Sequence, residues 1–193
     1  ALPDPAAPPG SSWLERTLQL LLQLEMPVTL LSRHAAHLQL ARGLSRDQAA
    51  RAAASDSPGP SLTALAEPPP WEGPLLALHR LMQRHPGERL LLCPVDMPKL
   101  NKGALQALLA AAAEQPQWIH LAHDGERCQP LLGVYPRQAT LRADLSAAVA
   151  RGERRLQSWL AEQACREVRL DPGALRNINR PEDLASAMGT RMS

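Results

Sequence analysis

The chain has 193 residues, a formal net charge of +2 and 45% hydrophobic residues, which is typical of one globular domain with a substantial core. No apolar run approaches the roughly 20 residues that a membrane-spanning helix needs. Residues 1–10 are proline-rich and lack the basic start and apolar core of a signal peptide. We therefore expect a cytoplasmic protein that does not associate with membranes.

The cysteines and the charges exclude further classes of protein. The three cysteines are odd in number and widely spaced, so they predict reduced thiols rather than a disulfide framework or a Cys-x-x-Cys metal site. The basic residues are nearly all arginines that alternate with acids, and only 3% of the residues are aromatic. Nucleic-acid binding is therefore not expected.

Helical and strand patterns alternate along the chain. A capping box, Ser12 with Glu15, opens a helix that reaches Leu24. The later elements are a strand at 28–32, helices at 35–41 and 45–54, a strand at 62–65, a helix at 75–84, a strand beginning at 89, a helix from 101, strands at 118–122 and 130–134, helices at 139–150 and 155–163, a strand at 167–170 and a helix after 181. This order predicts an α/β fold, with a mostly parallel sheet covered on both faces and one antiparallel hairpin.

The most informative residue is Asp96, in the segment RLLLCPVDMP (residues 89–98). Its carboxylate falls just past an apolar run that is typical of a buried parallel strand, and ligands of open α/β sheets bind at the carboxyl ends of strands. Pro94 and Pro98 restrict the turn, so the side chain could hold Mg²⁺ against a phosphate. The alternative is an aspartate that only starts the next turn.

Other familiar site patterns are weak or absent in the sequence. No two glycines lie close enough to form a phosphate-binding loop, and the only lysines are Lys99 and Lys102. His34 and His37 are three residues apart on a predicted helix, but the spacing suggests no third zinc ligand. We interpret these two side chains as surface histidines.

Four segments, in one order along the chain, carry a resemblance to a known family. They are CPVDMP (93–98), HDGER with the nearby QPL (123–131), GERR (152–155) and NINRPEDL (177–184). Together they resemble the molybdenum cofactor guanylyltransferases, which are nucleotidyltransferases with a Rossmann-like, three-layer fold. The resemblance covers nearly the whole chain from Trp13. We therefore expect one nucleotidyltransferase-like domain over residues 1–193, with a flexible proline-rich start at 1–11.

The resemblance implies an activity and its partners. The family joins GMP from GTP to the phosphate of molybdopterin, with Mg²⁺ present and pyrophosphate leaving. The implied partners are GTP, molybdopterin or its molybdenum form, and molybdoenzyme maturation proteins. Such a transfer depends on positioning and charge neutralisation rather than on a covalent nucleophile.

The resemblance also assigns roles to individual residues. Asp96 would be the catalytic, metal-binding carboxylate at the α-phosphate, and Asn179 would be a second metal ligand. The implied nucleotide contacts are Glu67, Gly73 and Asp96, and the implied acceptor contacts are Asp124, Arg127, Arg155, Asn177 and Asn179.

Several of these residues also have an ordinary structural interpretation. Asn179 could cap the helix that contains Pro181, although capping does not explain Asn177. The HDGER segment could be an ordinary hairpin turn, and adjacent arginines such as those at 154 and 155 are often only solvated. Glu67 stands at a slightly different spacing from the aspartate that the family often has.

The largest departure from the family lies at the N-terminus. The family opens with a strand and a glycine-rich loop that ends in lysine, whereas this chain opens with Ala-Leu-Pro, which resembles the family's segment after that lysine. We expect the first strand and the triphosphate loop to be missing from the sequence, so that this chain alone binds GTP weakly. Two alternatives remain, a non-catalytic binding or regulatory module and a related transferase that uses another nucleotide or acceptor.

Overall fold

The computed structural model describes residues 12–55, 59–85 and 89–177. The helices of these ranges are α1 (Trp13–Leu22), α2 (Ala35–Ser55), α3 (Pro74–Arg84), α4 (Lys102–Glu114), α5 (Ala139–Ala150) and α6 (Leu156–Leu160). The strands are β1 (Val28–Ser32), β2 (Leu62–Ala66), β3 (Arg89–Leu92), β4 (Ile119–His123), β5 (Cys128–Pro136) and β6 (Cys165–Arg169). The helix predicted after residue 181 lies outside the described residues.

The start of α1 confirms the predicted cap. The Ser12 hydroxyl oxygen accepts a hydrogen bond of 3.2 Å from the backbone N–H of Glu15. The apolar stripe of the helix then packs against β1 and β2, in a cluster made of Leu14, Leu18, Leu22, Val28, Leu30, Ala41 and Leu62. Burial of this stripe stabilises α1, which ends two residues earlier than the predicted Leu24.

One prediction about the helices was wrong, because the two helices expected at 35–41 and 45–54 form the single helix α2. The helix continues through Gly43, because a glycine within a helix costs only about 1 kcal/mol. Packing of Leu38 and Ala41 outweighs that cost, since both side chains are buried. Although α2 has 21 residues, no helix in the described ranges is long and apolar enough to cross a membrane.

The six strands form two sheets. β1 and β2 pair in parallel, with Val28 opposite Leu62, and the other four strands have the order β3-β5-β4-β6. β5 runs antiparallel to both β3 and β4, whereas β6 runs parallel to β4. The predicted hairpin is thus confirmed, and β3, β4 and β6 share one direction. Within the described chain, β1 and β3 each have one paired neighbour.

Helices cover both faces of the four-stranded sheet, as the alternation of elements predicted. On one face, Leu121 and Tyr135 belong to a cluster with residues of α3, α5 and α6. On the other face, Ala122 and Val134 pack with residues of α4. Consecutive strand residues point to opposite faces, so β4 and β5 supply side chains to both clusters.

Candidate active site

The predicted site residues lie after the carboxyl ends of different strands. Because β3, β4 and β6 run in the same direction, their carboxyl ends form one edge of the four-stranded sheet. Asp96, Asp124 and Asn177 come after these three ends, and Glu67 comes directly after β2. Such an edge is where open α/β sheets bind ligands.

Asp96 has one carboxylate oxygen, Oδ1, that is buried and accepts no hydrogen bond from the described residues. It lies four residues beyond the end of β3 rather than directly after it. Burial and then the Asp96 carboxylate raise the pKa of the nearby Cys93 thiol to about 12. An unpartnered buried carboxylate oxygen is costly, and a bound cation would offset that cost.

Asn177 presents a second buried oxygen of the same kind. Its amide Oδ1 also lacks a hydrogen-bond partner in the part of the chain that the structure describes. Leu175, two residues before Asn177, belongs to the same hydrophobic cluster as Met97, the residue after Asp96. A carboxylate oxygen and an amide oxygen suit a hard divalent cation. Asn179, which the resemblance implied as the metal ligand beside Asp96, lies outside the described residues.

The Glu67 carboxylate forms an ion pair with Arg80. Its Oε1 accepts a hydrogen bond of 3.0 Å from Arg80 Nη1, and Arg80 Nη2 donates to the carbonyl oxygen of Pro70 at 3.1 Å. The two charged side chains are only 16% and 18% exposed. This pair fastens the loop between β2 and α3 to the helix, and the predicted contact of Glu67 with a nucleotide stays a prediction.

Gly73 is the N-cap of α3 and has a backbone conformation that favours glycine, with φ of +100°. A side chain there would also come within 3.3 Å of the Arg154 carbonyl oxygen. No side chain caps the amides of the first turn, and Pro74 occupies one of its first positions. The exposed N-terminus of α3 therefore suits an anion.

The two arginines of the GERR segment differ in what they contact. Arg154 forms an ion pair with Glu72, and its Nη1 donates to the carbonyl oxygens of Val149 and Glu153. Arg155 is exposed, and within the described residues its guanidinium group has no ion pair. Arg154 thus joins two loops, whereas the implied contact of Arg155 with the acceptor stays a prediction.

Asp124 organises the hairpin turn between β4 and β5. Its Oδ1 accepts hydrogen bonds of 2.9 Å from the backbone N–H groups of Glu126 and Arg127, and its Oδ2 accepts one of 2.8 Å from Gln129 Nε2. The two backbone bonds lower the pKa of Asp124 to about 2. The turn presents Arg127, whose side chain is 74% exposed. The predicted acceptor roles of both residues stay predictions.

A cluster that sequence reasoning missed lies beside this turn. Donor atoms of His123, Cys128 and Glu167 all lie within 4.8 Å of one another, the combination of side chains that zinc takes. However, His123 Nδ1 accepts a hydrogen bond of 2.9 Å from the Gly125 N–H, so the neutral ring carries its proton on Nε2, which lies 3.7 Å from Glu167. We interpret the cluster as a hydrogen-bonded network.

The register of β6 on β4 explains why no pattern in the sequence revealed this network. Glu167 pairs with Leu121 of β4. Leu121 and His123 are two residues apart on that strand, so their side chains point to the same face of the sheet. The Cys128 thiol donates to Glu167 Oε1 at 3.4 Å, and burial together with that carboxylate raises its pKa to about 11. The thiol therefore stays protonated at neutral pH.

The sequence is similar to a known family and to curated proteins. Residues 8–168 match the family described as MobA-like NTP transferase domain. A molybdenum cofactor guanylyltransferase of Ectopseudomonas mendocina is 34% identical over 119 residues, which are 61% of this chain and 57% of that protein. A probable molybdenum cofactor guanylyltransferase of Rhodopirellula baltica is 33% identical over 130 residues, or 65% and 61%. The chain thus spans less than two thirds of the length of these relatives.

Solved structures share the fold at low sequence identity. Molybdopterin-guanine dinucleotide biosynthesis protein A of Archaeoglobus fulgidus has a TM-score of 0.53 at 16% identity, over 82% of this chain and 75% of that one. The 4-diphosphocytidyl-2C-methyl-D-erythritol synthase of Anaerococcus prevotii has a TM-score of 0.56 at 8% identity, over 86% and 96%. The expected nucleotidyltransferase fold is confirmed. Because the matched family covers most of the sequence, the chain belongs to the MobA-like NTP transferase domain family.

Proposed function

We propose that this protein transfers GMP from GTP to the phosphate of molybdopterin and releases pyrophosphate, with Mg²⁺ as the metal. Membership of the family supports nucleotidyl transfer, and relatives named molybdenum cofactor guanylyltransferase support this nucleotide and acceptor. The fold alone does not choose the nucleotide. The observation that carries the proposal is the pair of buried, unpartnered oxygens of Asp96 and Asn177 at the carboxyl edge of the sheet.

The proposed reaction replaces one phosphorus–oxygen bond by another. An oxygen of the molybdopterin phosphate attacks the α-phosphorus of GTP, and the bond between that phosphorus and the bridging oxygen to the β-phosphate breaks. The electron pair leaves with pyrophosphate. Asp96 and Asn177 would hold the divalent cation, which, when bound, neutralises charge on the phosphates.

The other described residues bind and orient the two substrates. The first-turn amides of α3, after Gly73, would donate hydrogen bonds to phosphate oxygens of the nucleotide. Arg127 and Arg155, both exposed, would bind the acceptor phosphate, since a guanidinium group can donate two parallel hydrogen bonds to it. Cys93 takes no covalent part, because a thiol with a pKa of about 12 is not ionised at neutral pH.

Asp96→Asn tests the proposal directly. The protein, expressed from its complete gene, would be given GTP, molybdopterin and Mg²⁺, and the guanine dinucleotide and pyrophosphate would be measured. We expect the wild type to form both, and the variant to lose activity by at least about a hundredfold while keeping its fold, because the lost charge removes the cation. Asp47→Asn, at an exposed position of α2, is the matched control. A wild type that forms no guanine dinucleotide, or an Asp96→Asn variant with undiminished transfer, would contradict the proposal.

A further inference from the structure

Trp71 is a fixed and exposed aromatic side chain. It is 53% exposed and lies in the loop between β2 and α3. Its indole Nε1 donates a hydrogen bond of 3.0 Å to the carbonyl oxygen of Glu67. Arg80 holds the same loop through Glu67 and Pro70. The ring is therefore presented to solvent by a loop that is anchored at several points.

Arg33 joins this ring from the neighbouring strand. Its guanidinium carbon lies 5.6 Å from the centroid of the Trp71 ring, which is within cation–π distance. Arg33 directly follows Ser32, the last residue of β1, and the Glu67 N–H donates to the carbonyl oxygen of Ser32 at 2.9 Å. The pair thus bridges two loops at the carboxyl ends of parallel strands, where ligands bind.

A second arginine–tryptophan pair gives an internal comparison. The guanidinium carbon of Arg166 lies 4.1 Å from the ring centroid of Trp118, and Arg166 Nε also donates to Gln115 Oε1 at 3.3 Å. Trp118 directly precedes β4, at the amino end of that strand. Arg166 lies closer to the Trp118 ring than Arg33 does to the Trp71 ring. Arg33 and Trp71 have the same chemistry at the opposite end of their strands, with a looser contact and an exposed ring.

We propose that Arg33 and Trp71 form a stacking platform for the nucleobase of the nucleotide substrate. The proposal rests on the proposed function, since it needs a nucleotide, and goes beyond it by naming the groups that bind the base. Aromatic rings and guanidinium planes both stack on the flat face of a base. Gly73, two residues after Trp71, is the N-cap of α3, so one loop would hold the base and lead to the first-turn amides proposed to bind the phosphates.

Titration calorimetry with two ligands tests the platform. The protein, expressed from its complete gene, is titrated in Mg²⁺ with GTP and with ribose 5-triphosphate, which lacks a base. We expect Trp71→Ala to weaken GTP binding by about tenfold, within the range measured for loss of base stacking, and to leave binding of the base-free ligand unchanged. Trp71→Phe should keep most of the GTP affinity, and Trp118→Ala should change neither affinity.

Intrinsic fluorescence gives a second readout. GTP should quench the emission of the wild type and of Trp118→Phe, and the quenching should be largely lost in Trp71→Phe, because Trp71 is the ring that the base covers.

Each contrary result has its own meaning. If the wild type binds GTP and Trp71→Ala binds it equally well, the platform is wrong and the proposed function stands. If Trp71→Ala weakens GTP and ribose 5-triphosphate equally, the ring supports the loop and does not bind the base, which also overturns the platform. A wild type that binds no nucleotide in Mg²⁺ overturns the proposed function together with the platform.

Discussion

The guanidinium group of Arg80 donates hydrogen bonds to the carboxylate of Glu67 and to the carbonyl oxygen of Pro70, so one side chain of α3 fixes both parts of the preceding loop. The resemblance implied a direct contact between Glu67 and the nucleotide. The pairing with Arg80 offers a second, indirect role, in which Glu67 helps to fix the loop that carries Trp71.

A double-mutant cycle on this pair distinguishes the two roles. If Glu67 acts through the loop, Glu67→Gln and Arg80→Ala should raise the dissociation constant of GTP by similar factors, and the double variant should be no worse than either single variant. Each change should lower the free energy of unfolding by about 1 kcal/mol. A much larger loss of GTP affinity in Glu67→Gln than in Arg80→Ala would indicate direct contact with the nucleotide.

Asn177 provides a prediction about the metal alone. Removing its amide oxygen should weaken binding of Mn²⁺, used as a paramagnetic probe, so Asn177→Ala should have a lower affinity in an electron paramagnetic resonance titration. Asn177→Asp keeps an oxygen and adds a charge, and should bind Mn²⁺ at least as tightly as the wild type. Equal Mn²⁺ affinity in Asn177→Ala and the wild type would remove Asn177 from the metal site.

Gly133 and Gly43 are a matched pair for stability. A Cβ atom at Gly133 would come within 2.8 Å of both the His120 carbonyl oxygen and Leu121 Cδ2, whereas one at Gly43 would meet no atom within 4 Å. Gly133→Ala should therefore lower the free energy of unfolding by about 3 kcal/mol. Gly43→Ala, within α2, should raise it by about 0.5–1 kcal/mol. Urea unfolding would measure both, and equal effects would contradict the packing around β5.

Local signals explain how much of the fold could be predicted from the sequence. The cap at Ser12 depends on residues three apart, and β1 was predicted with its observed bounds because Pro27 and the apolar run define it locally. The predicted break in α2 was wrong because a helix-start signal is also local, whereas the burial of Ala41 in a cluster with residues of β1 and β2 is not. In α2, packing of side chains against the rest of the protein outweighed local helix propensity.

The candidate site could be predicted only in part, for a similar reason. Asp96 was found because a carboxylate after an apolar strand is visible in one segment. The segments of Asp96 and Asn177 are related through one hydrophobic cluster, to which Met97 and Leu175 both belong, and the contact of Trp71 with Arg33 depends on the pairing of two strands. Neither relationship leaves a pattern in a single stretch of sequence.

Asp124 predicts how stability depends on pH. Its pKa in the folded protein is lowered from about 3.8 to about 2, so the folded state favours the carboxylate. The contribution of Asp124 to stability is therefore fully present above pH 4 and is lost as the pH falls towards 2. Asp124→Asn should melt at a lower temperature than the wild type at pH 7, and the difference should shrink between pH 4 and pH 2. Asp47→Asn is the control, and a constant difference across that range would show that the charge does not stabilise the turn.

We expect Arg154 to contribute to stability and Arg155 to contribute to binding of the acceptor. Arg154 donates to the carbonyl oxygens of Val149 and Glu153 and pairs with Glu72, so Arg154→Ala removes contacts between two loops and should lower the melting temperature. Arg155 is exposed without such contacts, so Arg155→Ala should leave the melting temperature unchanged.

If Arg155 binds the acceptor phosphate, its loss should raise KM for molybdopterin by about tenfold and leave the GTP affinity as it was. Arg155→Lys keeps the charge but not the paired donors, and should recover only part of the loss. Equal effects of Arg155→Ala on both substrates, or a fall in melting temperature like that of Arg154→Ala, would remove Arg155 from the acceptor site.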